Sequence, residues 1–170
     1  MRLYAAKIPV IAADIVRILT LDKDIETTET AEVEDDLASV MREYLRLDRE
    51  ITEKAKDRAE RIGAGAAEVQ RFKRQMADER NFGLGAEAVS WILDQLVQML
   101  LRSNNVDEVF SEDADLRRKM RQVLERHMGV DDEMDKEVRS RLKHLSEGTQ
   151  NWDVEYARVM EQVKRRKNIE

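Results

Sequence analysis

The sequence predicts an all-α protein built from two similar helical halves. Three observations carry that prediction. Glycine and proline together supply only 7 of 170 residues, too few turn residues for a sandwich or a barrel. Alanine, glutamate, leucine, lysine and arginine supply 81 of 170, near the roughly 50% that marks long-helix chains. Apolar residues recur at helical spacing through most of the chain, and the pattern returns about 83 positions later.

The elements follow in order. Ile8, Ile11, Ile15, Ile18 and Leu19 form one apolar stripe, predicting a helix over 5–20, with Pro9 in its first turn, where a missing N–H costs little. Val33, Leu37, Val40, Met41, Tyr44 and Leu45 predict a helix over 31–46, and Leu47, Ile51, Ala55, Ala59 and Ile62 either another over 48–62 or its continuation as one long helix, because Arg46 stands where the second half has Gly129. Gly63 and Gly65 mark a turn, and Val69, Phe72 and Met76 predict a helix over 66–79. Phe82-Gly83-Leu84-Gly85 joins the first repeat (1–82) to the second (83–170). There the same reading gives helices over 86–103, 113–128, 131–145 and 149–167. Thr30 and Asp113 suit N-caps, and Gly129 suits a helix end with Asp131 capping the next helix. The segments Leu21–Thr28 and Ser103–Ser111 are the longest connections, and no strand is expected.

The repeat rests on more than one helix. Shifted by about 83, ten apolar positions coincide from Val33/Leu116 to Ile62/Leu145, joined by the identities Val40/Val123, Asp48/Asp131, Glu50/Glu133 and Arg58/Arg141. Any two amphipathic helices can be brought into phase. Several successive segments with matching breaks favour duplication.

Composition also bounds function. The hydrophobic fraction of 42% argues against wholesale disorder. The chain has no cysteine, which removes disulfides, thiolate metal sites and a thiol nucleophile and fits a reducing cytoplasm. Lys7, Asp14 and Arg17 interrupt the N-terminal apolar stretch, so no clean signal-peptide core is expected. No apolar run reaches membrane-span length, so no membrane partner is expected. The net charge of −6 gives no global attraction to nucleic acid.

Residues for catalysis are sparse. His127 and His144 are the only histidines, and neither has the spacing of a metal-binding helix pair. His127 aligns with Tyr44 on a core-facing stripe, which favours packing. Gly63-x-Gly65 lacks the third glycine of a dinucleotide loop. Asp131, Asp132, Glu133 and Asp135 read as helix-start acids, because calcium-loop spacing is absent. No catalytic, cofactor-binding or metal residue is therefore assigned, and no enzyme activity or cofactor is expected.

One surface feature stands out between the repeats. Glu34, Asp35, Asp36 and Ala38 align with Arg117, Arg118, Lys119 and Arg121, so a patch of −3 becomes +4. Three readings compete: drift on a solvated face, docking of one patch on the other, and an anion site extended by Lys164, Arg165, Arg166 and Lys167.

Several short motifs carry a family resemblance. They are Met1-Arg2-Leu3-Tyr4, Glu43-Tyr44-Leu45-Arg46, Glu79-Arg80-Asn81-Phe82-Gly83-Leu84-Gly85, Val109-Phe110 with Asp115-Leu116-Arg117-Arg118-Lys119-Met120, and Glu147-Gly148-Thr149. With these the chain resembles, over nearly its full length, a bacterial family catalogued as domain of unknown function 507. The resemblance implies an all-helical bacterial protein and carries over no activity, cofactor or catalytic residue. The functional expectation is a cytoplasmic, non-enzymatic adaptor that binds other proteins through charged helical faces. The alternative is an RNA- or DNA-binding protein using Arg117–Arg121 and the basic tail. A homo-oligomer is compatible with either.

Overall fold

The computed structural model describes residues 2–145 and 149–166. Among them run α1 (Ile8–Leu21), β1 (Ile25–Glu26), α2 (Thr30–Arg61), α3 (Ala66–Glu79), α4 (Ala88–Arg102), β2 (Glu108–Val109), α5 (Asp113–Arg141) and α6 (Gln150–Arg166). Single 3-10 turns, Ala5–Lys7 and Gly85–Glu87, lead into α1 and α4. The order of turn, helix, short strand, long helix and shorter helix occurs twice, and the chain is all-α apart from the two-residue strands.

Four helices make the core. α1 packs on α2 and α5, and α4 packs on the same two, so the ring order is α1–α2–α4–α5 and the helices corresponding between repeats occupy opposite corners. Ile11, Ile15 and Leu19 of α1, Leu37 and Met41 of α2, Leu93 and Leu96 of α4, and Leu116 and Leu124 of α5 are all buried in one cluster. Each such side chain contributes about 1.5–3 kcal/mol on burial. Side chains from both expected halves, 1–82 and 83–170, thus share one core.

Of the two readings of 31–62, the structure has the single helix, α2, of about 48 Å at 1.5 Å per residue. Arg46 lies at the alternative break, pairing back to Glu43 at 2.7 Å and forward to Glu50 at 3.0 Å. The helices expected over 113–128 and 131–145 are likewise one, and Gly129 lies inside α5 rather than at an end. A mid-helix glycine costs only about 1 kcal/mol. Burial of Met128 before it and Met134 after it outweighs that. The caps also differ from expectation: Glu29 and Glu112 occupy the N-cap positions, one residue before Thr30 and Asp113, without a side-chain cap bond.

The far ends of α2 and α5 leave the bundle and form hairpins with α3 and α6. Ala55 and Ala59 pack on Phe72 in the first hairpin. Met134, Val138 and Leu142 pack on Val159 and Val163 in the second. The turn after α2 uses Gly63 at φ +64°, as the sequence suggested.

The two long connections hold the antiparallel ribbon β1–β2, contrary to the expectation of no strand. Each strand has two residues, too short for a periodicity signal. Ile25 lies opposite Val109 and Glu26 opposite Glu108. Exchanging positions at a shift of 83 turns each pair into the other. Backbone bonds extend the ribbon, from Phe110 N–H to Asp24 C=O at 2.8 Å and from Asp107 N–H to Glu26 C=O at 2.9 Å.

Candidate functional site

The predicted basic patch lies on the first turns of α5, and each of its members has a partner. Arg117 pairs with Asp94 of α4. Arg118 pairs with Asp115 at 2.9 Å, and Arg121 with Glu125 at 3.5 Å. Lys119 reaches the end of α1's connection, donating to Asp22 at 2.8 Å and Asp24 at 2.6 Å. Those bonds, Asp22 first, hold the Lys119 ammonium above the usual lysine range. Asp24 is 4% exposed, the buried charged residue among the described ones, and it also accepts from Ser111 Oγ at 2.5 Å.

The acidic counterpart does the same mechanical work with opposite sign. Asp36, which aligns with Lys119, accepts from Ser103 Oγ and from Asn105 Nδ2, the latter at 2.9 Å. Each position therefore fastens the connection of the other repeat. The connection facing Lys119 presents carboxylates, and the one facing Asp36 presents hydroxyl and amide donors. The charge reversal at this pair follows from what each must face. Of the two patches, Lys119 and Asp36 are the members that reach connections.

The basic tail does not extend the patch. Lys164, Arg165 and Arg166 end α6, while Lys167 lies outside the described residues. Arg166 pairs with Glu137 at 2.5 Å, and Arg165 with Glu161 at 3.4 Å. Glu137 lies sixteen residues past Arg121 on α5, about 24 Å along the axis. Glu147 and Gly148 lie outside the described residues, as do the side chains of Asp131 and Asp132.

His127 packs as its alignment suggested, half-buried, with Nε2 2.8 Å from Asp14 Oδ2. That bond, with help from Arg17 and Arg126, holds the Asp14 carboxyl below the usual range against the opposing effect of burial. In the second hairpin the Tyr156 hydroxyl donates to Asp135, whose other oxygen accepts from Arg139 at 2.8 Å.

The feature that sequence reasoning missed is a cleft of about 1180 Å³ between the first hairpin and the bundle. The N-terminal segment and the joint between the repeats form one side, and the facing sides of α2 and α3 form the other. Tyr44 and Phe82 stack at 4.9 Å along it, with Trp91 edge-on to Phe82 at 5.1 Å behind them. Tyr44 donates its hydroxyl to the Gly83 carbonyl at 3.1 Å. Burial, then the charge of Asp48, pushes that phenol up to about 12. Lys73 pairs with Asp48 at 2.8 Å across the two helices. Arg49 of α2 and Arg74 of α3 also line the cleft, and neither forms an ion pair among the described residues.

One signal pointed there. Arg2-Leu3-Tyr4, Tyr44-Leu45 and Phe82 with Leu84-Gly85, quoted above from three separate motifs, all line this cleft. Their convergence is invisible along the chain, because some eighty residues separate the first from the last.

Comparison with known proteins agrees with the motifs. Residues 1–169 match the family described as "Protein of unknown function (DUF507)", and the chain belongs to that family. No curated protein matches the chain.

Proposed function

We propose that this protein is a non-enzymatic adaptor of the bacterial cytoplasm that binds another protein in the cleft beside α2 and α3. The observation that carries the reading is the cleft itself. At about 1180 Å³ it exceeds the roughly 300–1,000 Å³ of small-molecule pockets. It also combines the partly exposed Tyr4, Leu45 and Leu84 with exposed charges of both signs, a surface that suits a polypeptide. The absence of cysteine fits the compartment, and no helix among the described residues is long and apolar enough to cross a membrane.

The duplication belongs to this reading. The repeated element order and the ribbon register support descent of both halves from one unit of about 83 residues. The cleft is where that repetition is put to use, since the N-terminal segment and the joint both lie along it.

Nucleic acid is the competing partner, and the pairing of Arg117, Arg118, Lys119 and Arg121 with acids weakens its case. The test is affinity capture from the native host, with and without nuclease. The same few polypeptides should survive nuclease and fall away when Arg49→Glu and Arg74→Glu are combined. Loss of all partners to nuclease, with nucleic-acid absorbance released by high salt, would establish the alternative.

A further inference from the structure

We infer that the cleft takes an extended acidic segment of its protein partner, held by Arg49 and Arg74. This rests on the protein-binding reading above and adds the chemical class of the ligand.

The charge inventory of the hairpin supports it. Most neighbouring cations are already committed. Arg46 and Lys54 pair with Glu50, Arg71 pairs with Glu68, and Lys73 pairs with Asp48. Arg49 and Arg74 are exposed, come from two different helices, and face one cleft without an acid partner among the described residues. A guanidinium presents a planar fork of donors that matches a carboxylate in two parallel bonds. Arg2, whose guanidinium lies 5.2 Å from the Tyr4 ring centre, adds a third cation at the N-terminal side.

The same cleft disfavours a polyphosphate. Glu53, Asp78 and Glu87 line it, and Asp78 and Glu87 form no ion pair among the described residues. A nucleic-acid strand carries one negative charge per nucleotide and cannot skip those positions. A peptide can place glutamates opposite the arginines and leave backbone N–H groups or a lysine opposite Asp78 and Glu87. Partly buried Leu45 and Leu84 along the same cleft give its apolar side chains a surface to cover.

The test uses the full chain and fluorescence anisotropy. The probe is a short fluorescein-labelled peptide with glutamate at alternate positions and one lysine. Its controls are the same peptide with glutamine for glutamate and a labelled single-stranded RNA of similar length. The acidic peptide should bind, with affinity reduced at least tenfold by Arg49→Glu with Arg74→Glu and unchanged by Arg117→Glu with Arg118→Glu. Circular dichroism melting should show the exposed Arg49 and Arg74 changes leaving the fold intact. Equal affinity for the glutamine peptide, indifference to the cleft variant, or no binding at millimolar peptide would overturn the acidic class. RNA binding lost with the cleft variant, or a second copy of the chain dissociated by it in sedimentation, would overturn it in favour of those occupants. Nuclease-resistant capture combined with a failed peptide titration would leave the protein-binding reading standing and remove this one alone.

Discussion

Replacing Gly83 by alanine tests the packing that holds the cleft's joint. A Cβ at this position would lie 2.6 Å from the Glu87 carbonyl oxygen and 2.8 Å from Trp91 Cβ. Ordinary contact begins near 3.4 Å, so about 0.6–0.8 Å must open on two sides at once. The first obstacle is backbone in the turn before α4. The second is the stem of Trp91, whose ring is held against Phe82 at 5.1 Å and Tyr44 at 5.6 Å. Overpacking of this kind costs about 1–3 kcal/mol. Alanine restricts the unfolded chain and returns about 0.4–1 kcal/mol. The net expectation is a loss of about 1–2 kcal/mol, or a urea midpoint lower by about 0.5–1 M at a slope near 2 kcal/mol/M. Gly129→Ala is the internal control, because nothing lies within 4 Å of its added Cβ and it sits inside α5. That change should raise stability by about 0.5–1 kcal/mol. The assay is urea unfolding followed by circular dichroism, with the slope checked for constancy. An unchanged or raised midpoint for Gly83→Ala would refute the argument, as would the same sign for both variants.

Two further predictions concern charge. Glu50 gathers Lys54 at 2.6 Å, Arg80 at 3.1 Å and Arg46 at 3.0 Å, and these bonds, Lys54 first, pull its carboxyl down to about 2. A depressed folded value means stability that is fully present above the unfolded carboxylate range, near pH 4.3, and lost as pH falls toward 2. Glu50→Gln should therefore flatten that part of the stability–pH curve and leave its slope near neutrality unchanged, as read by urea unfolding across the acid range. Lys119→Met should lower the melting temperature and speed amide exchange at residues 22–26, because it strips a partner from buried Asp24. Arg118→Ala, an exposed pair within one helix turn, should do neither.

The helices were legible because their information is local. Apolar spacing located the α1 stripe, the Gly63 turn and the Phe82–Gly85 joint from neighbouring residues alone. Gly129 misled because a glycine has two roles, and only the flanking burial of Met128 and Met134 decides between them. The ribbon escaped because two-residue strands have no period and are fastened by partners some eighty residues away. The basic patch was legible as charge but not as available charge. Its partners Asp94, Asp22 and Asp24 come from α4 and from the connection after α1, far away in sequence. The cleft was least legible, since its two sides come from four separated stretches of chain.

The contrast between patch and cleft bears on the proposed partner binding. A cation is informative about binding only after its intramolecular partners are subtracted. On α5 the subtraction leaves little, because Lys119 is spent on the ribbon connection and Arg117 on α4. In the first hairpin Arg49 and Arg74, two of the cations without an ion pair among the described residues, come from different helices and face the same space. In the second hairpin Arg139 pairs with Asp135 and Arg166 with Glu137, while Lys143 and Lys164 form no ion pair among the described residues. The cleft-lining part of α2 also carries the motif residues Tyr44 and Leu45, while the joint at Phe82 closes the same cleft from the other side. Recognition is therefore expected to follow the first hairpin, and substitutions that alter Arg49 or Arg74 should change partner binding without changing the fold that presents them.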